Sequence, residues 1–290
     1  MDTRTVSRTV KAQHKALRDD IAGLTTRRPL PSPSIGQLDP FLFLNHHGPQ
    51  VYPPHNHGLP FGPHPHRGFE TVTFILGGDI AHRDSGGHES VIEAGGVQWM
   101  TAGRGLVHSE VSSEEFKRNG GPLEVLQLWV NLPSRLKMTE PGYVGLQRDQ
   151  IPSFETDDGR VRVNLISGAW DGHTGPVRSL TDVHMMTVDF SAGGRARLPA
   201  PRGRNVFLYI VRGEPCIGSV RAQQHHLVEL NDDADAVEIE ASTDASILYG
   251  HAAPLSEPVV AHGPFVMNTK EEIVEAIRDY QAGKFGPNPG

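Results

Sequence analysis

Two short pairs of residues can bring several metal-binding side chains to one point. His64 and His66 lie in Gly58-Leu-Pro-Phe-Gly-Pro-His-Pro-His-Arg-Gly-Phe-Glu, and His108 and Glu110 lie in Gly103-Arg-Gly-Leu-Val-His-Ser-Glu. In a strand, residues two apart share a face, so each pair aims two groups one way. If the two strands face each other across a small barrel, three imidazoles and one carboxylate meet inside it. Such a set suits a divalent first-row ion: imidazole takes Zn, Cu, Fe or Ni, and several histidines with one carboxylate and open positions suit iron(II) and O2. A closed structural zinc site would carry cysteines, and the chain has one, Cys216. The bland alternative is chance, because 16 histidines make accidental His-x-His pairs common. His55/His57 and the adjacent His225/His226 are read that way. A second pair of the same parity, beside turn-forming glycines, favours the metal.

The elements that must carry these pairs are short strands. Glu70-Thr-Val-Thr-Phe-Ile-Leu is a β-branched run ending at the Gly77-Gly78 turn. Ile80 to Asp84 forms the second strand of a hairpin, with His82 on a sheet face and Asp84 and His88 serving the turn rather than a metal. Gly103 and Gly105 flank Arg104 and allow the tight turn before His108. Trp99 and Met100 read as core or pocket wall. The strand Glu124–Leu132 turns either Val125, Gln127 and Trp129 inward, or the opposite set. Upstream, Leu38-Asp-Pro-Phe-Leu-Phe-Leu is strand-like, His46 and His47 are expected to make strand-end hydrogen bonds, and Gly48 to Pro63 reads as a rim or lid.

The second half repeats the pattern of short strands without the chemistry. Val161-Arg-Val-Asn-Leu-Ile, His184-Met-Met-Thr-Val-Asp-Phe, Val206-Phe-Leu-Tyr-Ile-Val and Ser246-Ile-Leu-Tyr-Gly mark another sandwich. Arg197-Leu-Pro-Ala-Pro-Arg stands where the first half has its His-x-His. Thr269 to Tyr280 is the one clear helix, with Thr269 and Glu272 as a capping box and Ile273, Ala276, Ile277 and Tyr280 on one face. It is expected to pack on a barrel side, with residues 284–290 frayed.

Composition sets the outer limits. Thirty-two glycines and 23 prolines spread between apolar runs call for many turns and few long helices. The formal charge of −7 argues against a nucleic-acid partner. A single cysteine fits a reducing compartment. The absence of a roughly 20-residue apolar run argues against a membrane partner. With no apolar run near Met1, the expected location is the cytoplasm. The fold expected is all-β: two β-sandwich barrels with a short C-terminal helix. The expected division is a polar surface arm or short helix at 1–26, a metal-binding barrel at 27–135, a bridge at 136–152, and a metal-free barrel with the helix at 153–290.

The first stretch also resembles the first motif of the cupin superfamily, met without a gap by Gly58, His64, His66, Glu70 and Gly77; the second motif is met in part by Gly105-Leu-Val-His108. More specifically, His64-Pro-His-Arg-Gly-Phe-Glu-Thr-Val-Thr, Gln98-Trp-Met-Thr-Ala-Gly-Arg-Gly, Leu126-Gln-Leu-Trp-Val-Asn-Leu and Gly263-Pro-Phe-Val-Met-Asn-Thr-Lys-Glu-Glu-Ile resemble the pirin family, from about Arg27 to about Tyr280. The resemblance implies a bicupin with one iron in the first barrel, held by His64, His66, His108 and Glu110. In ordinary cupins the glutamate of the first motif, here Glu70, is the ligand, and strand parity counted from His66 lets it face inward. The resemblance to pirins favours Glu110, with Glu70 as a neighbouring pocket residue.

Three functions follow. The first is a quercetinase-like dioxygenase that opens a flavonol ring with O2, its Fe(II) acting as Lewis acid and Glu110 as base; the aromatic substrate is implied by the resemblance. The second is an iron-dependent redox-sensing regulator that docks on a transcription factor or metabolic enzyme. The third is a metal-holding stress or storage protein without turnover. The ligand set also accepts Ni, Cu, Mn or Zn.

Overall fold

The computed structural model describes residues 7–289. The fold is all-β with two helices among these residues, and it divides into two compact units. One comprises Arg18–Arg28, Pro40–Asp149 and the described residues from Leu255 on; the other comprises the described residues up to Leu17, Pro29–Asp39 and Gln150–Pro254. Each is built from a seven-stranded and a four-stranded sheet.

In the first barrel the larger sheet runs Gly142–Leu146, Val97–Thr101, Phe69–Gly77, Gly121–Asn131 and Phe41–Tyr52, antiparallel at each of these steps, and continues to Thr26–Leu30 and Leu17–Arg18. The smaller sheet runs Phe61–His66, Leu106–Val111, Asp79–Asp84 and Glu89–Glu93. Cross-strand register sorts the inner face of the larger sheet into rows. Ile75 lies beside Val125, and both join an apolar floor with Leu24, Leu59, Ile80, Ile92, Phe116 and Leu123. Next comes a polar row, Gln98, Thr73, Gln127 and Asn45, one from each of four neighbouring strands. Above it lie Met100, Thr71, Trp129 and Phe43. Alternation puts every second residue on this face, which settles that Gln127 and Trp129 point inward.

The second barrel's larger sheet runs Val10–Lys15, His226–Leu230, Asn205–Arg212, Ala245–Ala252, His184–Phe190, Val161–Ser167 and Ser153–Thr156. Its smaller sheet runs Gly194–Pro199, Ala236–Ala241, Cys216–Ile217 and Val220–Arg221. The interior is a continuous apolar cluster that includes Leu208, Val228, Tyr249, Met186, Leu198, Val237 and Ile239.

Several sequence expectations are corrected here. The segment expected as an arm is built into the two units: from Arg18 on it belongs to the first, while in the second Val10–Lys15 pairs with His226–Leu230, and Arg8, 1% exposed, donates to the carbonyls of Ala200, Ala234, Pro201 and Asn231. An open sheet edge is a row of unpaired N–H and C=O groups, and an alternating segment fills it. Asp2 and Arg4 of that expected arm lie outside the described residues. Part of the expected bridge is a strand as well, Gly142–Leu146, closing the free edge of Val97–Thr101. The C-terminal helix, Lys270–Gln281, forms with the expected capping box, but it belongs to the first barrel and not the second. Phe285, in the stretch expected to fray, is 3% exposed. A second helix, Glu114–Asn119, escaped the sequence reading; Ser113 caps it and Gly120 ends it.

Candidate metal centre

His64 and His66 lie on Phe61–His66, and His108 and Glu110 on Leu106–Val111. The two strands are not opposed across the barrel, as the sequence suggested, but are hydrogen-bonded neighbours in which His108 lies directly opposite His64. Directly opposite residues of an antiparallel pair share a face about 5 Å apart, so adjacency converges the rings as well as opposition would. The ring centroids lie 4.4 Å (His64–His108), 4.8 Å (His64–His66) and 5.0 Å (His66–His108) apart. One ligand nitrogen from each of the three lies within 4.8 Å of the others.

The protonation pattern suits a cation. The carbonyl of Gly62 accepts from His64 Nδ1 at 2.8 Å and that of Pro264 accepts from His66 Nδ1 at 3.2 Å. A carbonyl only accepts, so Nδ1 carries the proton in both rings and Nε2 keeps a free lone pair. Burial, then His64 nearby, pulls the His66 pKa down to about 3. Burial, then His66 and His64, holds His108 far below the usual imidazole range. His108 is fully buried, and neither ring nitrogen has a hydrogen-bond partner. Leaving a buried polar atom unpaired costs about 1–3 kcal/mol, a cost that a coordinated ion removes. Three convergent imidazoles beside a carboxylate therefore fit a divalent transition metal.

Glu110 lies beside the three-histidine cluster. Its Oε2 is 4.0 Å from His108 Nε2. Gln127 Nε2 donates to that oxygen at 2.7 Å, while Thr73 Oγ1 (3.1 Å) and Gln98 Nε2 donate to Oε1. These donors come from the polar row of the larger sheet, so the carboxylate is fixed from across the barrel. Sequence reading gave these three no role; Gln127 shares a face with Trp129 two residues on, a signal in the sequence, while Thr73 and Gln98 are placed by cross-strand register.

Glu70 is not part of the cluster. Thr73 faces the barrel interior, and Glu70, three residues earlier on the same strand, faces away. Parity counted from His66 failed because Gly68, at φ 91°, interrupts the strand between them. Burial raises the Glu70 carboxyl to about 7; Oε1 accepts from Thr101 Oγ1 at 2.7 Å.

The walls are aromatic and amide. Trp129 packs edge-on against His66 at 5.3 Å between centroids and lies 4.4 Å from Phe69 and 4.7 Å from Phe43. Tyr143 stacks on His82 at 4.1 Å and donates from its hydroxyl to Gln98 Oε1 at 3.2 Å. Trp99, 3% exposed, is core. Asp84 does serve the turn, accepting from the backbone N–H of Gly86 and His88, and it also bonds the His82 and His88 rings. His46 bonds Glu124, and His47 bonds Thr26, both away from the cluster.

Two β-sandwich barrels in one chain, the first enclosing a three-histidine cluster, define a bicupin. Residues 23–130 match the family described as Pirin, and residues 185–286 match the Pirin C-terminal cupin domain. The chain belongs to the pirin family. It is 40% identical to a pirin-like protein of Caulobacter vibrioides, over 98% of this chain and all of that one, and 40% identical to human pirin, over 91% and 89%. A solved quercetin 2,3-dioxygenase from Acinetobacter baumannii shares the fold with a TM-score of 0.91 at 33% identity, covering 98% of this chain and 100% of that one. Among the described residues, no helix is long and apolar enough to cross a membrane.

Proposed function

We propose that the first barrel is a non-haem iron(II) centre held by His64, His66, His108 and Glu110, and that it opens a flavonol-type ring with O2. The observation that carries this reading is His108, a buried imidazole with both nitrogens unpartnered, at the focus of two further bare Nε2 atoms. The likeness to a quercetin 2,3-dioxygenase supports the substrate class. The ion would supply Lewis acidity and electron exchange with O2. The chain's residues supply the rest. Trp129 and Phe43, backed by the buried Phe69, offer a stacking wall for a planar ring. Glu110 Oε2, aimed by Gln127, takes the proton of a substrate hydroxyl. The apolar floor around Ile75 and Val125 keeps water from below. One half-buried free cysteine fits a reducing compartment such as the cytoplasm.

Elemental analysis of protein purified without chelators, followed by anaerobic Fe(II) loading and O2 uptake with quercetin, tests both parts. Iron at one ion per chain and O2 uptake abolished by His64→Ala are expected. Metal content unaltered by His64→Ala would overturn the centre; a loaded centre without O2 uptake would overturn the enzyme and leave the regulator and the metal-holding protein.

A further inference from the structure

The residues after Leu255 belong to the unit that contains the histidine cluster, and they touch it at each turn that presents a ligand. Pro264 O accepts from His66 Nδ1. Val266 N donates to Arg67 O at 3.0 Å, the residue after His66. The Arg67 guanidinium, 5% exposed, donates from Nη2 to Asp279 on the helix at 2.9 Å and from Nε to Arg104 O at 2.6 Å, and it lies 4.6 Å above the Phe285 ring. One side chain thus ties the turn after His66, the turn before His108, and the C-terminal helix. Lys137 Nζ donates to Gly68 O, Val266 O and Asn131 Oδ1, using all three of its hydrogens.

Both turns are shaped to receive this segment. A Cβ on Gly68 would lie 2.0 Å from Val266 O, and one on Gly105 would lie 2.6 Å from the Phe285 ring. On the strand that carries His108, Val107 faces the other way and packs with Phe265, Met267, Ile273, Ala276 and Phe285.

We infer that Val260–Phe285 is a clasp that sets the tautomer and aim of His66 and holds the His66 and His108 turns together, so that metal affinity in the first barrel is governed from the far end of the chain. Pro264, Arg67 and Asp279 are positioning residues: they act on the ion only through His66 and the two turns. A histidine that donates its second N–H to a carbonyl is fixed in tautomer and orientation, and loss of such a partner costs about 10–100-fold in metal affinity. The consequence for affinity rests on the metal reading above; the consequence for the His66 tautomer does not.

The test uses the full chain and two variants that reach the clasp separately. Gly263→Val places a β-branched residue at φ 54°, where L residues are strained, and so displaces the Pro264 carbonyl. Asp279→Ala removes the acceptor of Arg67, Asp279→Asn restores a neutral one, and Val274→Ala, on the exposed side of the same helix, is the control. Co(II) is the probe, competed against a chelator and followed by its visible spectrum; ring 15N signals of the metal-free protein report the His66 tautomer. Expected are a roughly 10–100-fold weaker Co(II) affinity with an altered spectrum in Gly263→Val and Asp279→Ala, partial recovery in Asp279→Asn, and a mixed His66 tautomer in Gly263→Val. Folded variants that bind Co(II) as wild type does and keep the Nδ1–H tautomer would overturn the clasp. If wild type takes up no Co(II), the metal reading falls and the tautomer decides alone: a mixed tautomer in Gly263→Val supports the clasp, an unchanged one overturns it.

Discussion

In the first barrel's smaller sheet, Phe61–His66 lies beside Leu106–Val111 and carries two histidines, one of them opposite a third; in the second barrel's, Gly194–Pro199 lies beside Ala236–Ala241 and carries Leu198 opposite Val237. The larger sheets diverge in the same way. The row that reads Gln98, Thr73, Gln127, Asn45 in the first barrel has its counterpart, strand for strand, in Val228, Leu208, Tyr249 and Met186. The strand order is shared; the filling is not. An apolar filling stabilises by excluding water. The polar filling instead holds imidazoles and a carboxylate at a cost in desolvation, which a bound ion would offset. The difference teaches that one sandwich can serve as scaffold or as site, depending on one layer of inward residues.

Four substitutions break or sharpen that contrast. The largest effect is expected of His108→Ala: metal content falls to background, a loss beyond the roughly 100-fold ceiling of an outer partner, while the metal-free protein stays folded. Elemental analysis with circular dichroism checks it, and full metal retention would place the ion elsewhere. Next is Leu208→Ala in the second barrel, which should lower unfolding free energy by about 2–5 kcal/mol and leave metal affinity at the wild-type value, as read by denaturant unfolding and chelator competition.

Glu70→Gln comes third and tests whether Glu70 stands outside the centre. Its carboxyl titrates at about 7 when folded and at 4.5 when not. Between those values the folded chain holds a proton that the unfolded chain has released, so this group makes stability fall as pH rises through the window. Its penalty is fully present above about 7 and absent below 4.5. Glu70→Gln is therefore expected to be more stable than wild type at pH 8, by at most about 3 kcal/mol, to lose that advantage near pH 4, and to take up metal normally. A wild-type pH profile, or lost metal, would count against it. Smallest is Gln127→Leu, which removes the donor to Glu110 Oε2; a roughly 10-fold weaker metal affinity is expected, measured by chelator competition, and no change would show that the polar row is not aiming the carboxylate.

Much of this was legible from the chain alone, and the failures share a cause. The pairs His64/His66 and His108/Glu110, the strand from Glu70, and the helix with its Thr269–Glu272 box depend on spacing within a few residues, where backbone periodicity governs. Glu70 was misplaced because one positive-φ glycine resets strand parity, and no count of intervening residues reveals that. The arm, the bridge and the frayed tail were misjudged because polar composition does not show that a segment meets an open sheet edge or an apolar ledge elsewhere.

The sequence by itself determined which side chains offer metal-binding chemistry and which periodic stretches become strands or the capped helix, since both follow from residue type and local repeat. Tertiary structure alone decided that the strands carrying the two pairs are neighbours, that Glu110 is held by Gln98, Thr73 and Gln127, and that the Pro264 carbonyl meets His66 Nδ1. Those partners lie up to about 200 positions apart, and only packing of sheets and termini around a common interior brings them within hydrogen-bond reach.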